Sequence, residues 1–362
     1  MKALLAAIIL GWFTIPSLAQ QPLPPMRVSD MPSCGPVNGL SFVCGPHRPE
    51  DAIPLPGTRW LLISGMTPGS GLGAIDMNNK TAYSLYATKT TNPPDQLYAS
   101  CPAAPDPASF AAHGIHVRKV APGRYLLYVV SHGPLESVQI FDLDAREKFP
   151  VVSWKGCVPM PDNHPGNSVV SFSDGSMLVT VLGGLTMGGV PGGKPIGAVF
   201  AWSPGDKTFH WLKGTELAAP NGIESSKDEK EFYVVSTNDL TVHVFSRDGR
   251  ELRAGATPGV FGDNIRWNGD RLVIAGMTYD EPACGGLRQF GGVRTAASDC
   301  HRGYVVGEVD PVSLHWKVIA YGEPNPVFDA VATGAIVGDT LWLTTWKSDR
   351  IAYRPLPGLT TP

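Results

Sequence analysis

The sequence predicts an all-β protein, a six-bladed β-propeller with blades of about four antiparallel strands around a central tunnel. Three observations carry this reading. The 362 residues include 41 Gly and 34 Pro among many short Val, Ile, Leu, Phe, Tyr and Trp runs, the composition of a turn-rich β protein. No sustained apolar pattern of helical period runs through the body of the chain. One local pattern recurs six times: a polar residue, a small or polar residue, an apolar residue, a turn, then an apolar strand.

The copies begin at Glu50-Asp51-Ala52, His113-Gly114-Ile115, Asn167-Ser168-Val169, Asn221-Gly222-Ile223, Asp263-Asn264-Ile265 and, more weakly, Thr333-Gly334-Ala335. The strands that follow are expected over 60–64, 125–131, 177–182, 232–236, 272–275 and 341–346. Pro56-Gly57, Pro122-Gly123, Asp174-Gly175, Asn268-Gly269 and Gly338-Asp339 supply turns. A second unit follows each strand: a strand, an acidic or Pro turn, and a further strand. It reads over 74–84, 138–154, 198–211, 242–252 and 304–318, and begins again at 350–353 without completing. A strand before Glu50, over 40–43, is expected to pair there and close the ring, which removes the free edges. The inner strands are expected to be short, with their leading residues at one mouth of the tunnel.

The N-terminus divides from this body. Lys2, the apolar run 3–13 and Ser17-Leu18-Ala19 read as an export signal over 1–19, with a retained anchor as the alternative. Residues 20–31 are Pro-rich and read as a loose tether, and 32–362 as the propeller domain. The protein is therefore expected to be exported, periplasmic or secreted, with no membrane anchoring once the signal is removed. Cys34, Cys44, Cys101, Cys157, Cys284 and Cys300 make an even set, which in an exported chain favours disulfides. The favoured pairing is Cys34–Cys44, Cys101–Cys157 and Cys284–Cys300, because the first and last pairs close short loops. No CxxC spacing suggests a zinc site.

Net charge is −3 and Lys and Arg are scattered, so nucleic acid is not an expected partner. The leading residues are more informative. Glu50, His113, Asn167, Asn221 and Asp263 hold corresponding places in repeats that a ring brings together. They are metal-binding and acid–base groups.

In order and spacing, Pro49-Glu50-Asp51, Ala112-His113-Gly114-Ile115, Val130-Ser131-His132, Asn167-Ser168-Val169, Pro220-Asn221-Gly222-Ile223 and Asp263-Asn264-Ile265 resemble the paraoxonase/arylesterase family. That family stands with the gluconolactonases, regucalcins and strictosidine synthases among six-bladed calcium propellers. The resemblance spans residues 50–353. It implies a catalytic Ca²⁺ held by Glu50, Asn167, Asn221, Asp263 and Asn264. The chemistry agrees, since Ca²⁺ is a hard cation that takes about six to eight oxygen ligands. It also implies a second, structural Ca²⁺ at Asp51 and the carbonyl of Ile115. Ser168 stands where the family has an acid, which puts that second ion in question.

The resemblance further implies His113 as general base beside the metal and His132 as its partner. Imidazole titrates near neutral pH and can take and return a proton. Glu50 or Asp263 remains an alternative base. The other seven histidines read as surface or packing residues. The glycine-rich 183–197 and the cysteine-bearing 279–302 read as access loops. In paraoxonases the blade matching 183–197 carries a longer apolar segment at the lipid-facing surface, and its replacement here argues against lipoprotein or membrane attachment. No Gly-x-Ser-x-Gly elbow is present; Gly65-Met66-Thr67-Pro68-Gly69 has that spacing around threonine.

The expected activity is Ca²⁺-dependent hydrolysis of a small lactone or aryl ester. The alternatives are a non-catalytic calcium-stabilised propeller that binds a partner, and sugar-lactone hydrolysis on the same scaffold. A condensation of the strictosidine-synthase type is disfavoured, because those relatives lack this ligand set.

Overall fold

The apolar strands of this chain read as continuous hydrophobic runs because both of their faces are covered. Side chains alternate with period two, so one strand serves two neighbours. In the strand Trp60–Ser64, Trp60 and Leu62 pack into one apolar cluster, while Leu61 and Ile63 pack into another. Phe232 and Val234 likewise part from Tyr233 and Val235. Burying one such side chain stabilises by roughly 1.5–3 kcal/mol.

This packing is seen in a computed structural model that describes residues 34–86, 93–183, 197–284, 286–287 and 300–356. The expected export signal (1–19), the Pro-rich segment (20–31), nearly all of the glycine-rich 183–197 and much of 279–302 lie outside the described residues.

Six four-stranded antiparallel sheets form the blades. Blade 1 is Ala52–Pro54, Trp60–Ser64, Leu72–Asp76 and Thr81–Ser84. Blade 2 is Ala111–Ala121, Arg124–His132, Ser137–Asp144 and Val151–Pro159. Blade 3 is Val169–Ser171, Met177–Val181, Ala198–Trp202 and His210–Trp211. Blade 4 is Pro220–Ser225, Glu231–Ser236, Thr241–Ser246 and Glu251–Ala256. Blade 5 is Val260–Asn268, Arg271–Thr278, Tyr304–Val309 and Trp316–Gly322. Blade 6 takes Val331–Val337, Thr340–Thr345 and Arg350–Pro355 from the end of the chain and Ser41–Cys44 from its beginning. That last pairing, with Val43 opposite Ile351, closes the ring as expected. The hairpin turns fall at the expected dipeptides, with φ of +72° at Gly57 and +57° at Gly269, where glycine avoids a Cβ clash. Among the described residues the only helical pieces are three short 3₁₀ turns.

The inner strands are tied to one another around the axis by hydrogen bonds. Ile115 N–H donates to Asp51 Oδ2 at 2.8 Å, joining blades 1 and 2. Gly114 N–H donates to Asn167 O at 3.0 Å, joining blades 2 and 3. Thr180 Oγ1 donates to Asn221 O, and Thr237 Oγ1 to Gly262 O at 2.8 Å. Asn264 Nδ2 donates to Thr333 Oγ1 at 3.0 Å, and Thr333 Oγ1 to Asp51 Oδ1 at 3.0 Å. Every blade-to-blade step is thus bridged beside a leading residue.

Two expectations change. The inner strands are not uniformly short: Ala111–Ala121 has 11 residues and Val260–Asn268 has 9. Four of them pass through the leading position on a one-residue β-bulge instead of starting there. The register skips between Ala112 and Ile115, Pro220 and Ile223, Gly262 and Ile265, and Val331 and Gly334. A bulge kinks the strand and re-aims a side chain, which turns His113, Asn221 and Asp263 out of the ladder. The register also corrects the sixth copy by one residue. Its leading position is Ala332, and Thr333 aligns with Asp51, Ser168 and Asn264.

Candidate metal and acid–base centre

At the leading positions, whether on a bulge or just ahead of a strand, backbone N–H groups lack regular ladder partners, and buried ones must be satisfied. Hydroxyls on the second strands do this. Ser64 Oγ accepts from Asp51 N–H at 2.9 Å, Thr180 Oγ1 from Ser168 N–H at 3.0 Å, and Thr344 Oγ1 from Thr333 N–H at 2.7 Å. Close approach of neighbouring inner strands demands glycine. A Cβ on Gly114 would lie 2.5 Å from Asn167 O, and one on Gly222 would lie 2.6 Å from Asp263 O.

These constraints bring the predicted residues together. Glu50 Oε1 accepts from Asn264 Nδ2 at 2.6 Å. Glu50 Oε2 lies 3.8 Å from His113 Nε2. Asn167 Nδ2 lies 3.5 Å from the same nitrogen. Asp263 acts on Glu50 through space, and Asn221 holds on the bulge of blade 4 the place that Asp263 holds on the bulge of blade 5. Glu50, Asn167, Asn221, Asp263 and Asn264 are all buried.

Four of these five residues present a buried oxygen with no hydrogen-bonding partner in the protein: Glu50 Oε2, Asn167 Oδ1, Asn221 Oδ1 and Asn264 Oδ1. Buried polar atoms are normally paired, and several orphans in one place are costly. Burial, then Asp263, then Asp51 push the Glu50 carboxyl well above the usual carboxylate range. Carboxylate and amide oxygens without partners, crowded around a carboxyl that resists ionisation, fit a hard cation such as Ca²⁺. Among the described residues no group of three or more His, Cys, Asp or Glu is arranged to hold a metal, so a zinc-type centre has no counterpart.

The histidines form a relay. His113 Nδ1 lies 2.8 Å from His132 Nε2, and His132 Nδ1 lies 2.8 Å from Glu136 Oε2. A carboxylate only accepts, so the His132 proton sits on Nδ1 and its Nε2 accepts from His113 Nδ1–H. His113 Nε2 is left with its lone pair directed toward Glu50 and Asn167. Burial, and then His132, hold His113 well below the usual imidazole range, which keeps its ring neutral with Nε2 unprotonated. Glu136 was not singled out in the sequence. Its spacing of four from His132 was the available signal, and Asn163 Oδ1 steadies it by accepting from its N–H at 2.9 Å.

A second tier lies one residue past the tie points. His116, Glu224 and Arg266 follow Ile115, Ile223 and Ile265 in register. They line a cavity of about 560 Å³ together with Arg118, Glu229 and Trp267. His116 is half-buried there, with its Nδ1 3.1 Å from Ser171 Oγ and its ring against Tyr128. Its ring is pulled down to about 3, by burial first and then by Arg266 and Arg118. Burial raises the Glu224 carboxyl to about 7. Arg266 reaches Asp51 Oδ2 and donates to Ile115 O at 3.1 Å, the two groups expected to bind the second ion.

All six cysteines are paired as expected, Cys34–Cys44, Cys101–Cys157 and Cys284–Cys300, which suits an oxidising compartment. Among the described residues no helix is long and apolar enough to cross a membrane.

No protein-family model matches the chain, and no curated protein matches it. Solved structures do. A luciferin-regenerating enzyme is 13% identical with a TM-score of 0.51, over 89% of this chain and 97% of that one. Regucalcin from Agrobacterium tumefaciens, a calcium-binding protein, is 12% identical with a TM-score of 0.46, over 88% and 94%. An oxidoreductase of Thermus thermophilus described as a glucose dehydrogenase is 14% identical with a TM-score of 0.44, over 87% and 99%. The likeness to the first is one of fold and runs through nearly the whole of both chains; the other two add no argument.

Proposed function

We propose that this protein is a Ca²⁺-dependent hydrolase of lactones or aryl esters, exported to an oxidising compartment. One observation carries the reading: the lone pair of His113 Nε2 ends a three-residue relay and faces a cluster of unpartnered buried oxygens. Glu50, Asn167, Asn221, Asp263 and Asn264 would hold the ion. The chemistry such an ion supplies is polarisation of the ester carbonyl and stabilisation of the charge that develops on its oxygen.

The rest is done by this chain's own side chains. His113 Nε2 takes a proton from the attacking water. His132 Nε2 accepts from His113 Nδ1–H and so spreads the imidazolium charge toward Glu136. The proton on His113 Nε2 then passes to the leaving alkoxide. The natural substrate is a small molecule, and the scattered positive charge argues against nucleic acid. The alternative, a calcium-stabilised binding module, gives no reason for a relay that ends in an imidazole nitrogen facing the orphaned oxygens.

The test is hydrolysis of a panel of lactones and aryl esters by the mature protein, with Ca²⁺ and with chelator. Activity lost with chelator and restored by Ca²⁺ is expected. A folded, Ca²⁺-loaded protein that is inert across the panel would overturn the proposal.

A further inference from the structure

The second ion implied by the family resemblance does not fit the residues present. Asp51 is fully buried, and its carboxylate is already saturated. Oδ1 accepts from Ala52 N–H at 2.8 Å and from Thr333 Oγ1 at 3.0 Å. Oδ2 accepts from Ile115 N–H at 2.8 Å and is ion-paired with Arg266 Nη2. The same Nη2 donates to Ile115 O at 3.1 Å, and Nη1 donates to Ile265 O at 2.8 Å. Asp51 Oδ2 and Ile115 O are therefore turned onto a guanidinium, and Asp51 Oδ1 onto an N–H and a hydroxyl. Ser168, at the matching second position of blade 3, contributes a hydroxyl and no charge.

We infer that Arg266 is a built-in cation that takes the place of a second metal ion, so that the tunnel holds at most one divalent ion per chain. Charge supports the count. Glu50, Asp51 and Asp263 are three buried carboxylates, and Arg266 is the guanidinium beside them. Within this ring they leave two negative charges, which one divalent ion balances, while Glu224, the further carboxyl facing Arg266, stands in the tier below with its carboxyl raised by burial. A second would strand excess positive charge in a buried centre. Arginine suits the role because its planar fork serves carboxylate and carbonyl together and stays protonated. It joins blades 1, 2 and 5 through Asp51, Ile115 and its own strand, at no dependence on free calcium.

The inference stands apart from the hydrolase reading, and metal stoichiometry tests it. Chelated protein is reloaded with Ca²⁺, and tightly held calcium is counted by atomic emission. Wild type is expected to hold one ion per chain and Asn221→Ala none. Two ions in wild type would overturn the inference. No ion in wild type would sink the hydrolase proposal and leave this one intact. Arg266→Met strands the Asp51 carboxylate and is expected to melt several degrees lower in chelator. Millimolar Ca²⁺ should raise that melting point by more than it raises wild type's. Arg266→Met with Ser168→Asp is expected to gain one ion over wild type. Should Arg266→Met fail to fold, the charge-neutral pair Asp51→Asn with Arg266→Met is expected to restore folding. An Arg266→Met protein as stable as wild type in chelator would show that the guanidinium holds nothing.

Discussion

His113 Nδ1 lies 2.8 Å from His132 Nε2, and that contact decides which nitrogen of His113 faces the tunnel. Because His132 in turn engages Glu136, the lone pair of His113 Nε2 is placed on the side of Glu50 and Asn167. The pairing is made by Ala111–Ala121 and Arg124–His132 lying side by side, with the bulge after Ala112 bringing His113 round to its partner.

Replacing His113 with Gln should lower kcat/KM for lactones and aryl esters by roughly 10²–10⁴-fold. Glu136→Gln should cost less, on the order of tenfold, and move the acidic limb of the pH–rate profile to lower pH. The sign follows from charge, since loss of the carboxylate makes the relay harder to protonate. Unchanged kcat in His113→Gln would pass the role of base to Glu50 or Asp263.

Calcium should raise the melting temperature of wild type, because a ligand that binds only the folded state stabilises it. Asn221→Ala removes one of the orphaned oxygens and should weaken the half-saturating Ca²⁺ concentration by about tenfold or more. An identical titration in variant and wild type would exclude Asn221 from the ion's shell.

Gly222→Ala places a methyl 2.6 Å from Asp263 O, which is backbone and cannot turn aside. Denaturant unfolding should show a loss of about 1–3 kcal/mol. Calcium affinity should fall with it, because the strand carrying Asp263 must shift. Full stability would mean that the inner strands do not approach so closely.

Glu224 gives a pH signature. Burial raises its carboxyl to about 7 in the fold, above the ordinary value of 4.5. A folded-state pKa above the unfolded one contributes stability that is complete below pH 4.5 and is lost as pH rises through about 7. Glu224→Gln, which cannot ionise, should therefore be more stable than wild type at pH 8, by about 2–3 kcal/mol. The two should converge near pH 4. A stability gap that did not change with pH would refute the shift.

Cys101–Cys157 spans 56 residues and ties the outer strand of blade 2 to the segment ahead of that blade. Removing it by a paired Cys→Ser change should cost about 4 kcal/mol in oxidised protein on loop-entropy grounds. Reductant should then have little further effect on the part of the fold this bond secures.

Much of the architecture was legible before any coordinates. Runs such as Trp60-Leu61-Leu62-Ile63 and Phe232-Tyr233-Val234-Val235 announce strands buried on both faces, and turn glycines mark where they reverse. The unfinished last repeat called for a partner strand ahead of Glu50. The leading residues were visible because repetition placed Glu50, His113, Asn167, Asn221 and Asp263 in corresponding slots.

What repetition could not show is anything set by register or by contacts between repeats. The sixth copy was misplaced by one residue because a bulge adds a residue that spacing alone does not reveal. Glu136 reaches the relay through its contact with His132, and His116 and Glu224 enter a shared tier only when the strands align. Arg266 is the clearest case. Its neighbours Asp51 and Ile115 stand 215 and 151 residues away in the chain. The sequence alone determined a ring of strands and the donors at its centre. Only the tertiary structure decided that a guanidinium lies among them, because that depends on which distant backbone and carboxylate oxygens the closed ring brings within hydrogen-bonding reach.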